Sequence, residues 1–482
     1  MSAAPASRAA VPGKFTQGPT MRHVIVMTLT GSVGLMAVFL VDLLNLFYIA
    51  QLGEQELAAA IGYAGTVLFF LTSFAIGVSI AGTALVSRAL GAGDREKARR
   101  LATSSLFVMA VAMVVLAAAM LPWSGRILSS IGATGRTLAI ADRFLWMVVP
   151  STVFLGLGMM YSAILRAVGD ARRAMWVTLM GGIVTAVLDP FFIFFLGLGV
   201  DGAAVTSIIS RIAMALIGMR GVTLVHRLTA PPQLSAVLGD VKPIAAIAVP
   251  AVLTNIATPF GNGIVTAMIA RYGDSAVAGW AVLGRLVPVA FGAFFALSGS
   301  IGPIMGQNVG ARLYPRVRQA LTDALVFLSL YGIAVWLILL LLSDHIVRLF
   351  DATGMASAVI TFFCVYASLA WAFNGAVFVG NAAFNNLGFP TYSTALNWGR
   401  ATLGTVPFAW AGAWLAGPDH GAQGIIAGQA AGGILFGILS IAICFRVIDG
   451  MATRPPSDPP APGGPASGLS PFTSGKGATA GS

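Results

Sequence analysis

Long apolar runs recur along the whole chain, and they constrain its fold more than any other feature. A helix needs about 20 mostly apolar residues to cross the hydrocarbon core of a bilayer. Only 9% of the 482 residues are charged, so a soluble fold could not cover this much apolar surface. The sequence therefore predicts an all-α integral membrane protein surrounded by the lipid bilayer. Twelve segments qualify as spans, near 24–49, 57–85, 102–122, 141–165, 174–198, 203–224, 243–269, 276–304, 320–343, 357–386, 392–415 and 422–446.

The distribution of basic residues orients these spans. A formal net charge of +11 would suggest a nucleic-acid partner in a soluble protein. Here most of the 28 Lys and Arg residues lie in the short segments that face inward if both termini are cytoplasmic. The positive-inside rule then predicts a multi-pass protein of the bacterial plasma membrane, the inner membrane, with both termini cytoplasmic and without a nucleic-acid partner.

Two halves of the chain resemble each other at an offset of about 219 residues, as expected for an internal repeat. Gly91 matches Gly310, and Gly169 matches Gly388, each within similar sequence. Each half holds six spans, so the repeats are parallel and are related by a pseudo-two-fold axis along the membrane normal. We predict a cytoplasmic N-terminal segment, a first lobe, a cytoplasmic linker, a second lobe and a disordered cytoplasmic tail, at 1–21, 22–224, 225–242, 243–446 and 447–482.

Two of the 17 acidic residues, Asp42 and Asp189, lie well inside apolar spans. A charge at mid-membrane costs roughly 2.5–3.5 kcal/mol on insertion scales, so function is the default interpretation. The alternative is a static, hydrogen-bonded acid that fixes helix packing. We expect an ion-coupling site, because both acids lie in one half and because burial of an unpaired carboxylate favours proton binding.

The neighbours of Asp189 are compatible with two coupling ions, a proton and a sodium ion. Asp189 precedes Pro190, which lacks an N–H, so a carbonyl one turn earlier is freed. Thr185 lies one turn before Asp189, and Thr206 of the sixth span is expected to reach the same cavity. These oxygens suit a proton, or a sodium ion held by Asp42, Asp189 and Thr185. No phosphate-binding loop or metal motif accompanies them, so we expect no cofactor and no enzyme activity.

Polar and aromatic residues in other spans are weaker candidates for a substrate cavity. The repeat places Asn262 at the position of Asp42, so the second half keeps a polar group there without the charge. The aromatic candidates would stack on a flat cationic substrate, although aromatics more often pack and amides more often join helices. The candidates are Asn45, Tyr161, Asn255, Phe260, Asn262, Gln307, Trp371, Asn374 and Asn381.

Several segments, in this order within a twelve-span repeat, resemble the multidrug and toxic compound extrusion (MATE) family. They are VDLLNLFYIAQLGEQELAA, VSRALGAGDREKA, ILRAVGDARRAM, LDPFFIFFLGLGVDGAAVTSIIS, PIMGQNVGA and FNNLGFP. The resemblance covers about residues 22–446. It implies a V-shaped pair of six-helix lobes that exchanges a substrate for a cation.

Within that family the chain is more similar to the DinF-like branch than to the NorM-like branch. DinF-like members use first-lobe aspartates in the first and fifth helices, matched here by Asp42 and Asp189. NorM-like members use acids in the second lobe, and spans seven and ten have none. Thr185 stands where DinF-like members often have Asn, which leaves the coupling ion open, with protons favoured.

Two functions follow from these residues. The first is a secondary active exporter of multidrug type, which moves amphipathic or cationic small molecules by alternating access. The second is a flippase or exporter of a lipid-linked or amphiphilic metabolite, which needs basic residues in its cavity to hold phosphate. Arg211, Arg285 and Arg400 are the basic residues within spans, and we expect them near span ends, which favours the first function. A repeat that builds its own cavity makes a monomer sufficient.

Overall fold

The computed structural model of the chain describes residues 13–51 and 55–453, and within these ranges every side chain except those of residues 42–47, 49–51 and 55. The described residues form helices and short connections, without a strand. A helix satisfies its own backbone polar groups, which is what an apolar bilayer demands.

The first repeat begins with helices whose bounds follow the apolar runs. The fourth passage is formed by two helices, α5 and α6, because the 3-10 turn Val149–Ser151 interrupts it at Pro150. π-helical turns extend the fifth and sixth passages at Phe191–Phe195 and Arg220–Val225. The helices are α1 (Thr20–Gln51), α2 (Gln55–Gly91), α3 (Arg95–Met120), α4 (Ser124–Ser130), α5 (Gly135–Val148), α6 (Thr152–Val168), α7 (Ala171–Pro190) and α8 (Val200–Met219).

The second repeat has the same number of passages. Its helices are α9 (Leu234–Ile269), α10 (Asp274–Ala290), α11 (Gly292–Gly310), α12 (Tyr314–Leu349), α13 (Gly354–Phe362), α14 (Ser368–Leu387), α15 (Pro390–Ala401) and α16 (Val406–Ala452). The helices α10 and α11 form one passage bent by 48°, and α13 and α14 form another, joined by the π-helical turn Phe363–Ala367. Gly417 breaks α16 with φ 74° and ψ −179°, immediately before Pro418.

These passages agree with the twelve predicted spans. Ten helical runs among the described residues are long and apolar enough to cross a membrane. The bent pair α10–α11 adds one, and the break at Gly417 divides the run Pro390–Ala452 into two.

Helix packing repeats together with the sequence. In the first repeat α1 packs against α7, α2 against α6, and α6 against α8. Their counterparts α9 and α15, α11 and α14, and α14 and α16 pack in the same way. Across the repeats, α1 contacts α11 and α9 contacts α2, while α2 and α11 also contact each other. The contacts therefore obey the pseudo-two-fold relation that the sequence predicts.

Glycines mark equivalent helix ends in the two repeats. Gly169 follows α6 with φ +87°, and Gly388 follows α14 with φ +95°. Both values lie in the left-handed region, where a residue without Cβ ends a helix at no steric cost. The sequence match between these two positions therefore reflects a shared backbone requirement.

The repeats meet most closely where α2 and α11 end. A methyl group on Gly91 would overlap the backbone of Gln307, and one on Gly310 would overlap the carbonyl of Arg88. We call this side of the bundle, where α2, α6, α11 and α14 end, the N-terminal face. Here the main chains of the two repeats lie in direct contact.

The N-terminal segment (residues 13–19) packs onto this face between the repeats. Phe15 is buried, with 1% of its surface exposed. Its backbone N–H donates to Gln307 Oε1 at 2.8 Å, and its carbonyl accepts from Asn308 Nδ2 at 3.1 Å. Lys14 Nζ donates to the carbonyl of Gly169 at 2.7 Å. The segment thus binds both repeats at once.

The connection between the repeats is shorter than expected. Helix α9 begins at Leu234, so the second half of the predicted linker 225–242 is helical. Asp240, expected in that linker, is buried and accepts from Ser104 at 2.8 Å and from Arg100 at 3.2 Å. At the other end, α16 continues to Ala452, past the predicted start of the tail at 447, and residues 454–482 lie outside the described residues.

Asp170 anchors the start of that connection. It caps α7 by accepting from the Arg173 backbone N–H at 3.1 Å, and its other oxygen contacts His226 Nε2 at 2.8 Å. Partial burial acts to raise the pKa of Asp170, but the hydrogen bonds from Arg173 and His226 outweigh it and hold the pKa below its ordinary value.

Candidate ion-coupling and substrate site

Asp189 lies at the end of the regular part of α7, with 1% of its surface exposed. Pro190 follows, and it cannot donate the next backbone hydrogen bond. The chain then enters the π-helical turn Phe191–Phe195, a geometry that is often found at functional sites. The helix therefore loses its regularity next to Asp189, where the Asp-Pro pair predicts a disturbance.

The carboxyl of Asp189 has few partners. The side chain that contacts it is Thr206 of α8, whose buried hydroxyl donates to the carbonyl of Gly202 at 3.1 Å. Asp189 Oδ1 is buried and has no hydrogen-bond partner among the described residues. An unpartnered carboxylate oxygen is costly in apolar surroundings, and binding a proton or cation lowers that cost. The surroundings of this carboxyl therefore suit a bound proton or cation.

Thr185 takes part in a different contact. Its hydroxyl donates to the carbonyl of Gly181 at 3.0 Å, and Ser210 of α8 donates to the same oxygen at 2.8 Å. The hydroxyl hydrogen of Thr185 is therefore directed to its own helix rather than to Asp189. Its oxygen lone pairs remain available to a cation.

Helix α1 passes the face of α7 that carries Asp189. Val41 lies against Gly182, which is two turns before Asp189 and on the same face. Asp42 follows Val41 directly. The side chains of Asp42 and Asn45 lie outside the described residues, so a cavity shared by Asp42 and Asp189 stays a prediction.

A polar stripe runs along α9 in the second repeat. Asn255, Thr258, Asn262 and Thr266 are spaced by three or four residues, which places them on one helix face. Asn262 is exposed, and the other three are partly buried. Asn255 donates to a carbonyl of its own helix at 2.9 Å, while Thr266 accepts from Trp280 Nε1 at 2.9 Å.

Arg400 of α15 lies beside this stripe and is 8% exposed. Its Nη1 donates to Asn374 Oδ1 and its Nη2 to Thr258 Oγ1, each at 3.0 Å. Its Nε is buried and has no partner among the described residues. The expectation that Arg400 lies near a span end is wrong, because α15 ends at Ala401 and the eleventh passage continues into α16. The sequence did contain a signal for this buried position, because Arg400 is a basic residue within an apolar span and has no acidic residue near it.

Two of the predicted cavity amides join helices instead. Asn381 Oδ1 accepts from Asn397 Nδ2 of α15 at 2.6 Å. Gln307 is 1% exposed and lies on the N-terminal face, where its Nε2 donates to the carbonyl of Ala167 at 2.7 Å. Asn374 is the predicted cavity residue that contacts a charged group.

The three aromatic candidates pack on their own neighbours. Tyr161 lies against Gly218 of α8. Trp371 stacks on Phe291, with ring centroids 5.5 Å apart. Phe260 packs at a tilt on Trp398 of α15, with ring centroids 5.3 Å apart, but keeps 48% of its surface exposed. The structure does not bring these three rings together.

A pair of parallel six-helix repeats with a buried carboxyl group in one of them has the architecture of a secondary transporter. A profile of the MatE family matches residues 32–191 and 250–411, one segment in each repeat. These segments cover more than half of the chain, which therefore belongs to the MatE family. The predicted resemblance to the MATE family is therefore confirmed, and the chain is a membrane transporter rather than an enzyme. Its assignment to the DinF-like branch stays a prediction.

Relatives and solved structures agree with this family. The "FAD transporter" of Shewanella oneidensis is 26% identical over 89% of this chain and 96% of its own length. The "Multidrug export protein MepA" of Staphylococcus aureus is 24% identical over 72% of this chain and 77% of its own length. An outward-facing multidrug resistance MATE family transporter has a TM-score of 0.84 at 20% identity, covering 92% of this chain and 99% of that chain. The Vibrio cholerae MATE transporter VcmN in its bent form has a TM-score of 0.83 at 23% identity, covering 90% and 98%. These likenesses confirm the predicted fold class.

Proposed function

We propose that the protein exports amphipathic organic compounds, drugs among them, in exchange for protons, and that Asp189 carries the proton. The observation that supports this is the buried Asp189 carboxyl, with one oxygen unpartnered among the described residues, at a break in α7. Such a group gains more from binding an ion than an exposed acid does.

Exchange of substrate for protons results when the proton and the substrate compete for the same negatively charged carboxyl group. A cationic substrate is held by the ionised carboxyl group of the first repeat, and protonation removes the attraction. A bound ligand shifts a conformational equilibrium only by its differential affinity for the two states. We propose that the end of α7, with Pro190 and its π-helical turn, is the element that differs between the protonated and ionised states.

The repeats are proposed to be open on the side opposite the N-terminal face. There, a methyl group on Gly65 of α2 or Gly284 of α10 would meet no atom within 4 Å, in contrast to Gly91 and Gly310. With the basic segments inside, the N-terminal face is cytoplasmic and the cleft faces outward. We place the protein in the bacterial inner membrane, as a monomer with both termini in the cytoplasm.

Sodium is the second candidate for the coupling ion. Thr185 and Thr206 both donate to backbone carbonyls, which leaves their oxygens free to bind a hard cation beside Asp189. A single unpartnered oxygen is enough for a proton, whereas sodium needs several oxygen ligands at once. The proton is therefore the ion proposed first.

The test is export of ethidium, a fluorescent cation, from proteoliposomes with an imposed proton or sodium gradient. We expect the proton gradient to drive transport by the wild type, and Asp189→Asn to abolish it. Asp201→Asn is the matched control, since Asp201 lies in the same repeat but forms a partly exposed ion pair with Arg143. Gradient-driven transport that survives in Asp189→Asn would overturn the assignment of the proton to Asp189, and survival in Asp42→Asn as well would overturn the whole mechanism.

A second candidate function is export of an anionic amphipathic metabolite. The buried Arg400 favours it, because a fixed positive charge inside the second repeat suits a negatively charged substrate. The relative named as an FAD transporter, which aligns with 89% of this chain, points to the same class. Transport of FAD in the same proteoliposomes distinguishes this candidate from a strictly cationic exporter.

A further inference from the structure

The charge of Arg400 is not balanced by a described acid. Its hydrogen-bond partners, Asn374 and Thr258, are neutral, and no described carboxylate forms an ion pair with it. A buried guanidinium without a counter-charge is expensive, so its presence within a span needs a reason. The C-terminal end of α15 offers a partial negative charge, which offsets a part of that cost.

The free edge of this guanidinium suits an oxoanion. Arg400 Nε has no partner, and Nη2 on the same edge donates to the Thr258 hydroxyl, which can itself donate to an anion. A guanidinium edge matches two oxygens of a carboxylate or phosphate group with two parallel hydrogen bonds. The donor groups of Arg400 and Thr258 therefore match the hydrogen-bonding pattern of an oxoanion.

The polar stripe of α9 gives a route to this edge. Asn262 is exposed and lies one turn from Thr258 on the same helix face. Thr258 is partly buried, and Arg400 lies directly behind it. Asn262 is also the residue of the second repeat that corresponds to Asp42, and Asp42 is predicted to lie in the cavity of the first repeat. Polar groups thus lead from an exposed position in the second repeat to the buried charge.

We propose that Arg400, with Asn374 and Thr258, binds the carboxylate or phosphate group of an amphipathic organic anion. This inference rests on the second candidate function, export of an anionic amphipathic metabolite, and names the residues that hold the anionic group of that substrate. The first repeat supplies the acid that exchanges the ion, and the second repeat supplies the cation that selects the substrate. Arg400 would then be a specificity-determining residue that contacts the substrate itself.

The competing interpretation is that Arg400 only joins α15 to α9 and α14. The two interpretations differ in their effect on substrates of opposite charge. A packing role affects every substrate alike, whereas an anion site affects anions alone. Neutral Arg400→Gln and charged Arg400→Lys variants separate them, provided that each variant elutes and melts like the wild type in detergent.

The experiment measures KM in proteoliposomes for two anions, FAD and carboxyfluorescein, and for ethidium as the cation. We expect Arg400→Gln to raise KM for both anions by about tenfold or more, as loss of a charged hydrogen-bond partner does. KM for ethidium should change less than about twofold, and Arg400→Lys should recover part of the anion affinity. The matched control is Arg211→Gln, because Arg211 donates to Val148 O and Ser151 Oγ at 2.9 Å within the first repeat.

Several outcomes overturn the proposal. One is failure of the wild type to transport either anion while it transports ethidium, which leaves the proposed function standing. Another is an equal change in KM for anions and cation in Arg400→Gln. A lipid headgroup carries the same phosphate chemistry, so the assay is repeated without phosphatidylglycerol. An effect of Arg400→Gln that needs this lipid assigns the site to the bilayer instead. Absence of any transport refutes the proposed function itself.

Discussion

Replacing Gly91 with alanine probes how the two repeats separate at the N-terminal face. The added methyl group would overlap the backbone of Gln307, and backbone cannot move aside as a side chain can. Overpacking of this kind costs about 1–3 kcal/mol. Only the state in which the face is closed bears this cost, because alanine's higher helix propensity acts in both states. Because an equilibrium constant changes tenfold for every 1.4 kcal/mol, the population with this face open rises about 5- to 150-fold.

The measurement is the rate at which a maleimide modifies Ser87→Cys. Ser87 lies on α2 beside Gly306 of α11 and is 0% exposed, so its replacement reacts only when the face opens. We expect Gly91→Ala and the repeat-equivalent Gly310→Ala to raise this rate to a similar degree. The buried natural Cys364 reports global unfolding in the same sample.

Gly65→Ala is the matched control on the same helix, since its methyl group would meet no atom within 4 Å. A rate in Gly91→Ala that does not exceed the rate in Gly65→Ala refutes the reasoning. So does an equal rise at Cys364, because the protein would then be unfolding rather than opening.

Three further changes test other parts of the fold. The fold holds the pKa of Asp170 below its ordinary value of about 3.9, so this carboxylate stabilises the protein above that pH and loses its contribution as the pH falls through the folded-state pKa. The difference in melting temperature between wild type and Asp170→Asn is therefore largest near neutral pH and shrinks on acidification. Asp240→Ala leaves the buried Ser104 hydroxyl without its acceptor and lowers the free energy of unfolding by about 1–3 kcal/mol. Asp449→Ala, at an exposed pair, costs less than about 1 kcal/mol in chemical denaturation. Phe15→Ala removes about 3–5 kcal/mol of docking energy, so trypsin should cut after Lys14 much faster than in the wild type.

The spans and the repeat could be predicted because both depend on local sequence. Apolar runs set the passages, and the matched Gly169 and Gly388 have the same left-handed geometry. The burial of Asp189 also follows from its place within an apolar run. The contact of its carboxyl with Thr206 agrees with the prediction that Thr206 reaches the same cavity. The unpartnered Oδ1 could not be predicted, because it depends on how α8 is rotated against α7.

The remaining features depend on partners distant in the chain. Phe15 lies in a segment whose composition is typical of a polar terminus. It is buried because its backbone binds Gln307 and Asn308 of the second repeat, which lie far along the chain. Gln307 was expected to line a cavity, but the close contact of Gly91 fixes it at a junction. Arg400 looked peripheral because a continuous apolar run conceals the break between α15 and α16.

The docking of the N-terminal segment also constrains how the chain is made. Phe15 and its partner Gln307 are separated by 292 positions. At about 5–20 residues per second, the ribosome needs roughly 15 to 60 s to synthesise the intervening chain. The segment leaves the ribosome long before Gln307 does, and it can reach its final place only after the eighth passage has entered the membrane. During biogenesis its phenylalanine therefore waits undocked, and its docking marks the moment when the two halves assemble.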